Sequence, residues 1–375
     1  MDGGIYLNNA ATSWPKPECV AAAMADAVRK RPGSANRGGV EDFNVFDAVR
    51  QRLAGVIGAA DKSRVALGPN ATWGLNAAIM GFPLSPGDCV VCSEAEHNSV
   101  LRPLYYLGKK LGIKVIFAPV DGTGRILTDK WSDIINQARP KLCVFTHASN
   151  VTGAVNDAAS LTAAAKSAGA AVLIDASQTL GCVQVSAEDW GADMLAFTGH
   201  KYLLGPQGTG GLYVRPGLEL SPLLSGGTGI KSDMDEMPEE MPIHLEAGTG
   251  NEPSFYGLLA ALDWAGENPA QWEITSELTA ALRRGLISAG AKVISPEGPN
   301  TPVISFNIPG KSAGDVGYIL SECYGICCRS GLHCAPRIFR YLNCGATVRL
   351  SLSRFTACGD IDETITAVKE ISEDN

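Results

Sequence analysis

Short, almost unbroken apolar runs recur along the chain up to Phe197, each followed by polar residues. They are Val65-Ala66-Leu67, Cys89-Val90-Val91-Cys92, Val115-Ile116-Phe117-Ala118, Leu142-Cys143-Val144-Phe145-Thr146, Val172-Leu173-Ile174 and Met194-Leu195-Ala196-Phe197. A strand that is apolar at successive positions has both faces covered, which is the pattern of a mostly parallel sheet between helices. The intervening segments, such as Trp73 to Met80, are helix-like. An α/β fold is therefore expected. In such sheets ligands sit beyond the carboxyl ends of the strands. Thr72, His97, Asn150, Asp175 and Lys201 all fall at those ends. After about residue 260 the pattern changes to helices over Gly257–Ala265 and Ile274–Ser288, then strands at Val303–Phe306 and Val348–Ser351. This predicts a small α+β C-terminal domain. The expected division is a large domain over 15–255 and a small one over 1–14 and 256–375, with the N-terminal dozen residues crossing to the site or the small domain. Ser225 to Pro242, rich in Gly, Met and acidic residues, reads as an exposed loop or short hairpin.

The chain has 375 residues, 45% hydrophobic and 19% charged, enough for a large core and roughly two domains. Its net charge of −8 argues against nucleic acid or an anionic membrane as partner. The start, Met1-Asp2-Gly3-Gly4-Ile5, has no basic-then-apolar signal pattern, and no run reaches the roughly 20 apolar residues of a membrane span. Eleven cysteines without a secretion signal are expected to be reduced, in a cytoplasmic protein. Most are expected as small buried apolar side chains. No metal site is expected.

The chemistry concentrates on two strand ends. Asp175 closes one strand, and Phe197-Thr198-Gly199-His200-Lys201 follows the next, 26 residues on. A lysine amine condenses with the aldehyde of pyridoxal phosphate, and an aspartate pairs with its pyridinium nitrogen. Gly68-Pro69-Asn70-Ala71-Thr72 follows a strand and opens a helix, where backbone N–H groups and the Thr72 hydroxyl can bind a phosphate. His97 is a candidate to stack on the pyridine ring, or simply a polar loop residue. Asn150 and Gln178 are both candidates for the cofactor's phenolic oxygen. Arg349 lies inside an apolar strand and needs an anion there, either an internal carboxylate or a substrate carboxylate held by the guanidinium fork. Cys334 lies in a short loop between Gly331 and Pro336, with Arg329 and His333 near enough to favour its thiolate. A pyridoxal lysine together with a loop cysteine points to sulfur chemistry.

Taken together, Thr-Gly-His-Lys at 198–201, Asp-x-x-Gln at 175–178, Glu-Ala-Gly-Thr at 246–249 and Arg-x-Gly-x-His-Cys at 329–334 resemble the class V aminotransferase family. Within it they are similar to the Suf-type cysteine desulfurases and selenocysteine lyases. The resemblance runs from Ile5-Tyr6-Leu7-Asn8-Asn9-Ala10-Ala11-Thr12 to Arg349. It implies the fold type I architecture of pyridoxal phosphate enzymes, with a seven-stranded, mostly parallel sheet, in a homodimer. It implies that Lys201 holds the cofactor and shuttles the Cα proton, that Asp175 keeps the ring nitrogen protonated and that His97 stacks on the ring. Ala71, Thr72, Thr198 and His200 are placed at the phosphate, with Thr249 reaching it from a partner subunit. Gln178 and Asn150 fall at the ring edge or the substrate, and Arg349, Arg329 and Ala11 at the substrate. Cys334 takes the sulfur of L-cysteine or the selenium of selenocysteine, leaving alanine, and passes it to an acceptor protein. The short loop implies low turnover without that acceptor. The chain departs from the Suf-type pattern in Ala71 for Thr, Leu332 for His and Asn36 for His before Arg37-Gly38. Other reactions on the same fold (C–S lyase, aminotransferase, epimerase) and a non-catalytic scaffold are the alternatives.

Overall fold

The computed structural model describes residues 4–31, 43–269 and 271–374; Asn36, Arg37 and Gly38 lie outside the described residues. A short strand β1 (Ile5–Tyr6) leads into helices α1 (Glu18–Arg29) and α2 (Val45–Ile57). Strands and helices then alternate: β2 (Val65–Gly68), α3 (Ala71–Gly81), β3 (Cys89–Ser93), α4 (Asn98–Leu111), β4 (Lys114–Ala118), α5 (Thr128–Ala138), β5 (Leu142–Thr146), α6 (Ala158–Ser167) and β6 (Ala171–Asp175). Next come β7 (Met194–Thr198), β8 (Gly210–Val214), α7 (Glu252–Glu267) and α8 (Gln271–Ser288). The chain finishes with β9 (Lys292–Val293), β10 (Val303–Asn307), α9 (Ala313–Tyr324), β11 (Ile326–Cys327), β12 (Arg329–Gly331), α10 (Pro336–Leu342), β13 (Thr347–Ser351) and α11 (Cys358–Glu373).

The main sheet has seven strands in the order β2-β8-β7-β6-β5-β3-β4. Only β8 is antiparallel to its neighbours, β2 and β7. Two reversals cancel, so β2, β3, β5, β6 and β7 all point their carboxyl ends the same way. The expected α/β fold is found, with one strand more than the apolar runs reveal. That strand is β8, whose opening Gly210-Gly211 has poor strand propensity. The glycine is required: a Cβ on Gly210 would fall 2.7 Å from the Asn70 Cα, just before α3 begins. The bare backbone lets the amino end of α3 sit against the sheet.

Successive strand residues enter opposite layers, because side chains alternate across a sheet. Val91, Phe145, Ile174 and Phe197 pack with α2, α5 and α6 on one face. Val90, Val144, Leu173, Ala196 and Leu212 pack with α3 and α4 on the other. Each large side chain so buried contributes about 1.5–3 kcal/mol. The same alternation answers a zinc-type signal that the expectation of no metal passes over. Cys89 and Cys92 stand at C-x-x-C spacing, but on β3 positions three apart face opposite layers. Cys89 packs with one core cluster and Cys92 with the other.

The expectation that most cysteines are buried is overturned. Only Cys92 and Cys143 are buried, while Cys323, Cys327, Cys334 and Cys358 are exposed. The reason is placement: Cys323 and Cys358 ride on surface helices, and Cys327 on a two-stranded edge pair. Among the described residues no helix is long and apolar enough to cross a membrane. Residues 225–242 form a loop of bends and turns with no strand.

The smaller unit is the sheet β12-β13-β10-β9 with α8, α9 and α11 around Leu282, Phe306, Leu320, Val348 and Leu350. β1 pairs in parallel with β11, and Leu7 joins this core. The expected boundary at 255/256 falls inside α7, whose Phe255, Leu258 and Leu262 belong to the core of the large sheet. We propose that the division follows α7 instead.

Candidate active site

The carboxyl ends of five strands meet in one pocket. It is lined by Ala71 and Thr72 after β2, His97 and Ser99 after β3, Asn150 after β5, Asp175 and Gln178 after β6, and Thr198, His200 and Lys201 after β7. Every sequence candidate at a strand end is therefore brought together. Asn70 caps α3 by accepting from the Trp73 N–H at 2.9 Å, so the helix amino end, with its partial positive charge, opens on this pocket.

Lys201 is desolvated here, which lowers its amine to about 8; the Asp175 carboxylate opposes this, and the Arg349 and Arg329 cations add to it. Asp175 is buried and accepts from both the hydroxyl and the amide of Ser177, the amide at 2.9 Å. This Asx turn fixes the carboxylate at the strand end. His97 caps α4: its Nδ1 accepts from the Ser99 N–H at 3.1 Å, which leaves the ring proton on Nε2. Burial, then the Lys201 cation, pushes its pKa down to about 4, so the ring is neutral near pH 7. Ser99 continues the chain of contacts, bonding His97 at 2.9 Å and the Thr72 hydroxyl at 2.8 Å. Sequence reading did not assign Ser99 or Ser177 a role. Their signals were Asp-x-Ser and His-x-Ser spacings, typical of turns and caps.

Glu96 was also passed over. It is fully buried, accepts from the Ser93 hydroxyl and the Thr146 N–H (3.0 Å), and burial raises its carboxyl to about 8. It ties β3 to β5 beneath the pocket.

The N-terminal segment straps the site. The His200 carbonyl accepts from the Ser13 N–H at 2.9 Å, and Gln178 Nε2 donates to the Ala10 carbonyl at 3.1 Å. Ala11 lies in this strap, outside the lining of the pocket. Asn8 Oδ1 accepts from Arg349 Nη2 at 3.3 Å. Arg349 is buried; Nη1 donates to the Asn150 carbonyl at 2.8 Å, and Nε has no partner among the described residues. Its register partner on β12 is another cation, Arg329. Burial, then Arg329, lowers the Arg349 guanidinium to about 10. No internal carboxylate is paired with it among the described ion pairs. Of the two sequence options, this geometry favours an external anion.

Cys334 is exposed on an adjoining pocket that shares Thr72, His97 and Ser99 with the first. Arg329 Nη2 donates to its Sγ at 3.2 Å. The expected help from His333 is not found. Its ring is turned inward against Thr347 Oγ1 (2.9 Å), and burial drives its pKa down to about 3, so it brings no charge to the thiol. Thr249 lies outside the Lys201 pocket of its own chain, exposed beside Gly248 and Gly250 in a separate cavity.

Two buried histidines set an acid limit on stability. Burial holds His147 at about 4 and His333 at about 3, against 6.5 for an ordinary histidine. Below pH 6.5 the unfolded chain takes up protons that the folded chain refuses. Stability is therefore full above 6.5 and falls as pH drops toward 4, by on the order of 1–3 kcal/mol per group. Urea unfolding at pH 7, 5.5 and 4.5 checks this. His147→Gln should flatten part of the slope, and an unchanged slope would refute the assignment.

The aminotransferase class-V family model matches residues 5–363. The chain is 31% identical to a probable cysteine desulfurase of Methanothermobacter thermautotrophicus, over 98% of this chain and 94% of that protein. It is 29% identical to the cysteine desulfurase CsdA of Escherichia coli, over 100% and 95%. Its fold superposes on the apo structure of a cysteine desulfurase from Thermococcus onnurineus with a TM-score of 0.91 at 29% identity, covering 99% of this chain and 95% of that one. With its strand-end residues in one pocket and its length matched almost throughout, the chain belongs to the aminotransferase class-V family.

Proposed function

We propose that this protein is a pyridoxal phosphate-dependent cysteine desulfurase. It converts L-cysteine to L-alanine, with the sulfur taken as a persulfide on Cys334. One observation carries the reading. An exposed thiol, set against the Arg329 guanidinium, shares the His97–Ser99–Thr72 wall with the pocket of Lys201 and Asp175.

The pocket suits the cofactor. Two polar atoms in its lining, Gln178 Oε1 and His200 Nδ1, are buried without a partner among the described residues. Buried polar groups are rarely left so, and a ligand's polar edge would satisfy them. The α3 amino end with Thr72, Thr198 and His200 would hold the phosphate, Lys201 the aldehyde carbon, Asp175 the ring nitrogen and the neutral His97 one ring face. When bound, the cofactor supplies an electron sink for charge developing at the substrate Cα.

The chain's own residues do the rest. Arg349 binds the substrate carboxylate with the edge of its fork that includes the unpartnered Nε. Lys201, with its amine lowered to about 8, is partly neutral near pH 7–8 and can accept and return a proton there. Arg329 holds the Cys334 sulfur by donating to it at 3.2 Å, and that sulfur, as a thiolate, attacks the substrate sulfur. The substrate Cβ–S bond breaks, a sulfur–sulfur bond forms on Cys334, and the carbon skeleton leaves as alanine after protonation. The exposure of Cys334 supports hand-off to an acceptor protein. A homodimer, with Thr249 reaching the partner's phosphate site, and a cytoplasmic location belong to the same proposal.

The test is intact-protein mass after brief exposure to L-cysteine. The expected result is a gain of one or more sulfur atoms, reversed by a reducing thiol. Release of sulfide or pyruvate without bound sulfur would move the assignment to a C–S lyase.

A further inference from the structure

The side-chain amide of Asn150 is turned toward the segment that carries Cys334. Its Nδ2 donates to the His333 carbonyl at 2.7 Å. Its backbone carbonyl accepts from Arg349 at 2.8 Å, and Asn150 lines the Lys201 pocket. One buried residue thus touches the pocket, the carboxylate clamp and the peptide that leads into the thiol.

That peptide needs holding. His333 and Cys334 have φ of 47° and 58°, two consecutive side-chain-bearing residues in the left-handed region. Such a pair is disfavoured unless its surroundings impose it. Four contacts do so. Asn150 Nδ2 donates to the His333 carbonyl, the Asn98 N–H donates to the Cys334 carbonyl at 2.7 Å, His333 Nε2 bonds Thr347 at 2.9 Å, and Arg329 reaches Sγ. Only the first comes from a side chain in the lining of the Lys201 pocket.

We propose that Asn150 is a positioning residue for the sulfur-accepting thiol: its amide holds the His333–Cys334 turn in register with the Lys201 pocket. This rests on the reading that Cys334 receives sulfur. It goes beyond the cofactor or substrate role that the sequence implies for Asn150, because the group held is the nucleophile's own backbone.

The test compares wild-type holoprotein with Asn150→Ala and Asn150→Asp. The aspartate keeps the size but turns an oxygen toward the His333 carbonyl. Two rates are measured: exchange of the Cα proton of L-alanine with solvent, which does not use Cys334, and persulfide formation on Cys334 from L-cysteine. Amide hydrogen exchange over 331–336 is followed without substrate. In both variants persulfide formation should fall about tenfold further than Cα exchange, the effect of one lost hydrogen bond. Amide exchange over 331–336 should quicken by about the same factor, with α4 beyond Asn98 unchanged. Equal loss of both reactions, or unaltered amide exchange at 331–336, would overturn the proposal. Absence of persulfide in the wild type would instead remove the desulfurase reading, while the amide exchange would still decide whether Asn150 holds the turn.

Discussion

Lys201→Ala is expected to lower L-cysteine turnover by about 10⁴-fold, the upper end of the range for a lost proton-transfer group. The residue combines two properties that no other side chain in the pocket offers. It is an amine, and it is desolvated enough to lose its proton near pH 8. Lys201→Arg should not rescue, since a guanidinium stays charged and cannot accept the proton. The variant should still fold, because the change removes a desolvated cation rather than a packing contact. The checks are alanine formation under saturating cysteine and urea unfolding of the protein without cofactor. A variant that folds and keeps more than about a hundredth of the activity would exclude Lys201 as the proton carrier.

Cys334→Ala is expected to abolish the sulfur mass gain and to cut alanine formation by about 10³-fold. Solvent exchange of the Cα proton of L-alanine should continue, since Lys201, Asp175 and Arg349 are intact. The substitution isolates the sulfur. Alanine keeps a Cβ and so preserves the turn's demand on φ, which is 58° at this position. The side chain is exposed, so stability should change by less than about 0.5 kcal/mol. Cys334→Ser tests the same step with a hydroxyl that cannot form the persulfide. If Cys334→Ala released alanine at the wild-type rate, the reaction would not pass through this thiol. The exposed Cys323, Cys327 and Cys358 supply a control, because none should gain sulfur when Cys334 is absent.

Much of the pocket could be named before any coordinates. Strands apolar at every position require cover on both faces, and that requirement alone predicts a sheet whose polar residues collect at the carboxyl ends. Asp175, His97, Thr72 and Lys201 follow from position along the chain. The type of each residue then restricts the chemistry: an amine, a carboxylate, an imidazole and a helix amino end. Six of the seven strands were visible for the same reason. β8 was not, because its glycines answer to the close approach of Asn70 and α3, a contact between segments far apart in sequence.

What local pattern missed was set by long-range partners. His333 stands next to Cys334 in sequence, yet its ring bonds Thr347 in the interior and leaves Arg329 to face the thiol. The cysteines read as core residues because cysteine is usually buried, but four lie on the surface. Helix α7 packs on the large core although the change of pattern along the chain put the expected domain boundary within it. The sequence by itself determined the fold class and the kinds of reactive group, because both depend on residue type and period along the chain. Only the tertiary structure decided that Asn150 grips the Cys334 turn, that Arg349 has no internal carboxylate among the described residues, and that the thiol adjoins the Lys201 pocket. Those facts depend on distances between strand ends, which burial and packing fix and which no local pattern encodes.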